Sequence, residues 1–138
     1  MKTSFILVVA SVLFNGCAAG PVATSQTDDV PSSRVLSQKW RSQAPGTGRL
    51  VVKRDSGVIR AACHIRVFVD KTPVADLGPA EKIALFLPPG NYVIKGQTRG
   101  ICRGGESEIT MEISAKAERI VRIVSGKKDG IELRGTFF

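Results

Sequence analysis

Short runs of alternating apolar and polar residues, turn signals between them, and no longer stretch with helical spacing together predict an all-β fold. The expected architecture is an antiparallel β-sandwich of about seven short strands, preceded by a signal peptide and a flexible tether. Ile65, Val67 and Val69 alternate with His64, Arg66 and Phe68, so one face of this strand is aliphatic. Ile83, Leu85 and Leu87 alternate with Lys82, Ala84 and Phe86 in the same way, as do Ile109, Met111 and Ile113 with Glu108, Thr110 and Glu112. A period of two is what a half-buried strand requires. Leu50 to Lys53, Tyr92 to Gly96, Arg119 to Val124 and Ile131 to Phe137 supply the remaining candidates.

Turn chemistry separates these runs. Asp70-Lys71 leads into Pro73, Pro88-Pro89-Gly90-Asn91 joins two strands, and Lys127-Lys128-Asp129-Gly130 precedes the last. Pro79, Ala80 and Glu81 offer a helical start, but the alternation from Ile83 to Leu87 overrides it. Two layers follow from burial: a single sheet would leave its apolar face in water.

The 138 residues divide into a leader over 1–16, a linker over 17–48 and one domain over 49–138. Lys2 supplies a positive start, and Phe5 to Phe14 is apolar except for Ser11. Such a run is half the length that a bilayer-spanning helix needs, about 20 residues, and matches the core of a signal peptide. The residues that follow, Asn15-Gly16-Cys17-Ala18-Ala19, resemble the lipobox of bacterial lipoproteins. Gly16 and Cys17 fit the pattern, Phe14 stands where an aliphatic residue is usual, and Asn15 stands in place of Ala or Ser. The resemblance implies diacylglycerol on the Cys17 sulfur, cleavage before Cys17 and acylation of the new amine, with the membrane as partner through that anchor. Ala18 rather than Asp after the cysteine points to the outer membrane, with the domain facing the periplasm or the cell surface. The alternative is an ordinary leader cut after Gly20, which gives a soluble secreted protein.

With Cys17 lipidated, Cys63 and Cys102 remain, the number that closes one disulfide in an oxidising envelope. Zinc is the rival use of these thiols, but two cysteines beside His64 do not make a spaced four-ligand set, so no metal and no cofactor are expected. Between Ala18 and Gly48 the composition shifts to Ser, Thr, Gln, Pro, Asp and Gly, which reads as a solvated tether. A flexible chain of that length would have a root-mean-square span of about 30 Å. Within it, Val35, Leu36 and Trp40 could instead dock on the domain, and Arg34, Lys39 and Arg41 around Trp40 form the linker's candidate membrane-contact patch.

Val67-Phe68-Val69-Asp70-Lys71-Thr72-Pro73-Val74, followed by Leu85-Phe86-Leu87-Pro88-Pro89-Gly90-Asn91-Tyr92-Val93-Ile94, resembles PEGA-type domains. Those have a strand ending in V-x-V-D-G, a second short strand, and an L-x-P-G-x-[HY]-x-[VI] hairpin. Lys71 stands where the family usually has Gly, so a different turn is expected there. The resemblance covers about residues 49 to 124 and implies an extracytoplasmic β-sandwich for display or binding, with no catalytic residues to carry over.

Lys and Arg number 20 against 12 Asp and Glu, a formal charge of +8, and the pI is near 9.9. That balance favours anionic neighbours, but the cations are dispersed along the chain, which speaks against nucleic acid. The chain has one histidine, His64, and no nucleophile elbow, paired-histidine spacing or phosphate loop, so no enzyme activity is expected. The carboxylates Asp70, Asp76, Glu81, Glu106 and Glu108 carry no spacing that selects a catalytic pair. The loop Gly96 to Gly105 is glycine-rich but precedes a strand, not a helix. Arg99 and Arg103 beside Cys102 make it the candidate binding surface, for an anionic glycan or an envelope protein. Two functions compete: a component of an envelope assembly, and a specific binder or inhibitor of an envelope glycan or enzyme.

Overall fold

The computed structural model describes residues 21–57, 62–102, 105–126 and 130–136; the leader and Cys17 lie outside them. The described residues form nine strands in two packed sheets. They are β1 (Asp28–Asp29), β2 (Gly48–Arg54), β3 (Ile65–Val69), β4 (Thr72–Leu77), β5 (Glu81–Leu87), β6 (Gly90–Thr98), β7 (Glu106–Ile113), β8 (Glu118–Ser125) and β9 (Ile131–Thr136). One sheet has the order β1-β5-β2-β8-β9 and the other β4-β3-β6-β7. The aliphatic faces read from the sequence point inward: Ile65, Val67, Val69, Ile83, Leu85, Leu87, Met111 and Ile113 are all buried in one core. Leu50, Val52, Val121 and Ile123 meet them from β2 and β8.

The strands that pattern reading missed are β1 and β4. In β4 the turn residue Pro73 and the charged Asp76 interrupt the alternation, and the register slips between Val67 and Phe68, so Val74 and Ala75 are buried in succession. A bulge of this kind breaks the period of two on which the reading rests. Pairing is also mixed: β1 with β5 and β2 with β8 run parallel, the rest antiparallel. The Pro88-Pro89 link differs from the hairpin that the family resemblance implied, because β5 and β6 belong to different sheets and the link carries the chain across the sandwich. The turn at Asp70-Lys71 is a tight hairpin closed by the pair Val69 and Thr72. Asp70 takes the left-handed conformation there with φ 53°, which its short polar side chain tolerates. Its carboxylate accepts the Val93 N–H at 2.9 Å.

Residues 21–47 are not a free tether. Both sheets leave an edge strand on the same side, β5 in one and β4 in the other, and unpaired edge groups must find partners. The chain before β2 supplies them. Val30 N–H donates to Lys82 O at 2.9 Å, Leu36 N–H donates to Val74 O at 2.9 Å, and Trp40 O accepts Phe86 N–H at 2.7 Å. The Arg41 guanidinium donates to Ala84 O at 2.6 Å. Val30 is buried in the core, and Val35 and Trp40 pack against it. The residues proposed for membrane contact are thus used on the domain: Arg34 binds Glu81, Arg41 binds β5, and Lys39 lies 4.5 Å from the Trp40 ring centroid. Composition marked this stretch as polar; what holds it are a few apolar plugs and backbone bonds, which composition does not register.

Two further ties hold one end of the sandwich. Arg54, at the inner end of β2, is 4% exposed. Its guanidinium donates to Cys63 O at the entrance to β3 and to Leu77 O at 3.2 Å. Cys63 and Cys102 form the expected disulfide, with Cα atoms 5.9 Å apart and the two residues 39 positions apart in sequence. At the other end, Gly48 meets the β7–β8 connection so closely that a Cβ would lie 2.3 Å from Ser114 O.

Reduction of the disulfide releases a loop whose closure is worth on the order of 4 kcal/mol on the chain-entropy estimate. The folded protein should therefore show no alkylatable Cys63 or Cys102 without reductant, and its thermal midpoint should fall clearly on reduction. Glu81 generates a second expectation. Burial alone would raise its carboxyl, but hydrogen bonds from Arg34 and the Gly78 N–H outweigh this and hold it below the usual carboxylate range. A depressed carboxyl contributes stability that is present above its unfolded value, about 4.3, and lost as pH falls through the folded one. Glu81→Gln should cost about 1 to 2 kcal/mol at neutral pH and flatten the loss of stability between about pH 5 and 3, as read by urea unfolding across that range.

Candidate functional site

The loop singled out in the sequence is shorter than expected, because Gly96, Gln97 and Thr98 belong to β6. Its neck is closed by Thr98: the Thr98 N–H donates to Gly105 O at 2.8 Å, and Thr98 Oγ1 accepts the Gly105 N–H at 3.0 Å. Arg99 is exposed and its N–H donates to His64 O at 2.8 Å. Arg103 lies outside the described residues. Ile101, 85% exposed, stands at the tip. Beneath the loop, Arg66 grips Asp76 with two bonds of 2.8 Å. That hydrogen bonding holds the Asp76 carboxyl below the usual range, and the charges of Arg99 and His64 act in the same direction. Arg99 thus leans partly on a carboxylate of its own domain.

A denser arrangement lies on the outer face of the five-stranded sheet. Lys82 on β5 stands opposite Lys53 on β2, Lys53 opposite Arg122 on β8, and Arg122 opposite Arg134 on β9. Side chains at paired positions share a face, so these cations form one row across four strands, an arrangement that costs energy unless each charge is met. Asp29 lies 3.9 Å from Lys82, Asp55 pairs with Arg122, and Glu132 takes Arg134 at 3.1 Å. Among the described residues no carboxylate forms an ion pair with Lys53. Its ammonium donates instead to Val22 O at 2.7 Å, while Lys82 donates to Thr27 O and, at 3.3 Å, to Thr24 O. The chain over residues 22–27 therefore crosses this face and offers its carbonyls to the two lysines. Burial lowers the Lys53 pKa, Arg122 and Lys82 lower it further, and Asp55 opposes them.

Beside the row a cleft of about 270 Å³ opens between Pro21, Asp55, Gly57, Arg122, Ser125 and Arg134. Asp55 Oδ1 and Arg122 Nε have no hydrogen-bond partner among the described residues. Sequence reading missed this face because the cations stand at positions 53, 82, 122 and 134 and meet only through strand register. The available signal was weak: each occupies the polar position of an alternating strand. Among the described residues no cluster of His, Cys, Asp and Glu is arranged to hold a metal ion.

Comparison with known proteins adds little to this geometry. No protein-family model matches the chain, and no curated protein matches it. Among solved structures, the chain is similar to a protein from Eubacterium rectale determined by NMR, at 13% identity and a TM-score of 0.45, over 64% of this chain and 87% of that one.

Proposed function

We propose that this protein is a lipid-anchored component of a bacterial envelope, held at the outer membrane through Cys17 and presenting a small non-catalytic β-domain to a partner. The observation that carries the reading is the apolar run Phe5 to Phe14 ending at Gly16-Cys17, whose length and small-residue exit fit an exported lipoprotein. The disulfide supports the same compartment, since such bonds persist where thiols are not kept reduced. The resemblance of residues 49 to 124 to PEGA-type domains supports display rather than chemistry. His64, the one histidine, is exposed. The competing binding reading, recognition of an anionic glycan or envelope enzyme by the Arg99–Arg103 loop, keeps Arg99 as its described residue.

Cys17→Ser tests the anchor. The substituted protein should move from the membrane fraction to the soluble exported fraction and lose acyl-chain labelling, and the mature wild type should carry acyl chains on residue 17 by mass. An unlabelled wild type cut after Gly20 would establish the soluble secreted alternative instead.

A further inference from the structure

We propose that the outer face of the five-stranded sheet is the membrane-facing surface of this protein, and that Arg122 and Arg134 dock it onto anionic lipid headgroups. The proposal rests on lipid attachment at Cys17 and specifies how the anchored domain is oriented.

Reach comes first. Pro21 lines the cleft beside Arg122 and Arg134, and Val22 is bound to Lys53, so the described chain begins on this face. Cys17 precedes Pro21 by four positions, and four fully extended residues span at most about 14 Å. The polar layer of a bilayer leaflet takes up about 7 Å of that reach. What remains is close to the screening length of about 8 Å at physiological ionic strength, so charges on this face interact with the headgroups rather than being screened from them. A free tether over 17–48 would have put the domain several screening lengths away; the docking of residues 21–47 removes that freedom.

Charge comes second. Asp29, Asp55 and Glu132 offset Lys82, Arg122 and Arg134, whereas Lys53 is met by a carbonyl that has no formal charge. The row therefore keeps a positive excess. Arg134 is the most accessible member, with 59% of its side chain exposed. On the other sheet, the edge strand β7 turns Glu106, Glu108 and Glu112 to solvent. An anionic bilayer therefore favours the first face over the second. Arg122, held by Asp55, and Arg134 both line the cleft, which is the place where a single headgroup phosphate can approach the two guanidiniums.

The test uses the mature acylated protein in nanodiscs of phosphatidylcholine and phosphatidylglycerol in which a fraction of headgroups carries a spin label. Paramagnetic broadening should be strongest on the amides of residues 22–27, β8 and β9 and weakest on β3 and β6 of the other sheet. A basic residue near an anionic surface contributes about 1 kcal/mol, so Arg134→Gln should lower the docked population about fivefold. Arg99→Gln, the same change in net charge elsewhere, should leave it unaltered. Broadening centred on β7 or on the Arg99 loop, uniform broadening, or equal loss in both variants would overturn the proposal while leaving the anchor intact. Absence of acyl chains on residue 17 would overturn the anchoring reading, and this one with it.

Discussion

Four cations side by side on one sheet face repel one another, and the way this repulsion is met shapes much of the molecule. Asp55 and Glu132 take up the two arginines from the same face. The two lysines are served largely by backbone carbonyls of a segment far away in sequence. Burying Lys53 would be costly without Val22 O, since an ammonium with no acceptor loses its hydration for nothing. The segment in turn would have no reason to lie there without the lysines to bind and the β5 edge to pair with. Each accounts for the position of the other.

From that mutual arrangement the rest of the N-terminal path follows. Having crossed the sheet face, the chain turns at β1 onto the edge of β5, sends Val30 into the core, and passes to the edge of β4 through Leu36 before returning to β5 at Trp40. Both open edges on that side of the sandwich are thereby covered, which removes the strand-pairing hazard that exposed edges present. The opposite end is held differently, by the disulfide and by the buried Arg54 guanidinium on the carbonyls of Cys63 and Leu77. Covalent and hydrogen-bonded ties fix the end near the cleft, while backbone pairing fixes the side, so the cationic face is presented on a rigid support.

Much of the fold was legible because burial imposes a period of two wherever a strand is half covered. Ile65 to Val69, Ile83 to Leu87 and Met111 to Ile113 obey it and point as the sequence implied. It fails where a second constraint intrudes. β4 carries a bulge, and β1 is two aspartates whose strand character comes wholly from β5. The docking of residues 21–47 was hidden for a related reason: it depends on Val30, Val35 and Trp40, spread thinly through a polar stretch. The disulfide was legible because counting sufficed. The cationic row was not, because Lys53, Lys82, Arg122 and Arg134 are brought together by pairings between distant strands, including the parallel pair β2 and β8 that no local turn announces.

The account turns on whether the chain before β2 is built into the domain. Amide hydrogen exchange on the purified protein measures this directly at Asp28, Val30 and Leu36, whose N–H groups donate to Ala80 O, Lys82 O and Val74 O at 2.9 Å. Protection at these amides approaching that of the central strands β2 and β5 is the expected result, since their opening requires the sandwich edge to open with them. Exchange at the rate of an unstructured chain, with β2 and β5 still protected, would contradict it: residues 21–47 would then be a tether and not part of the domain.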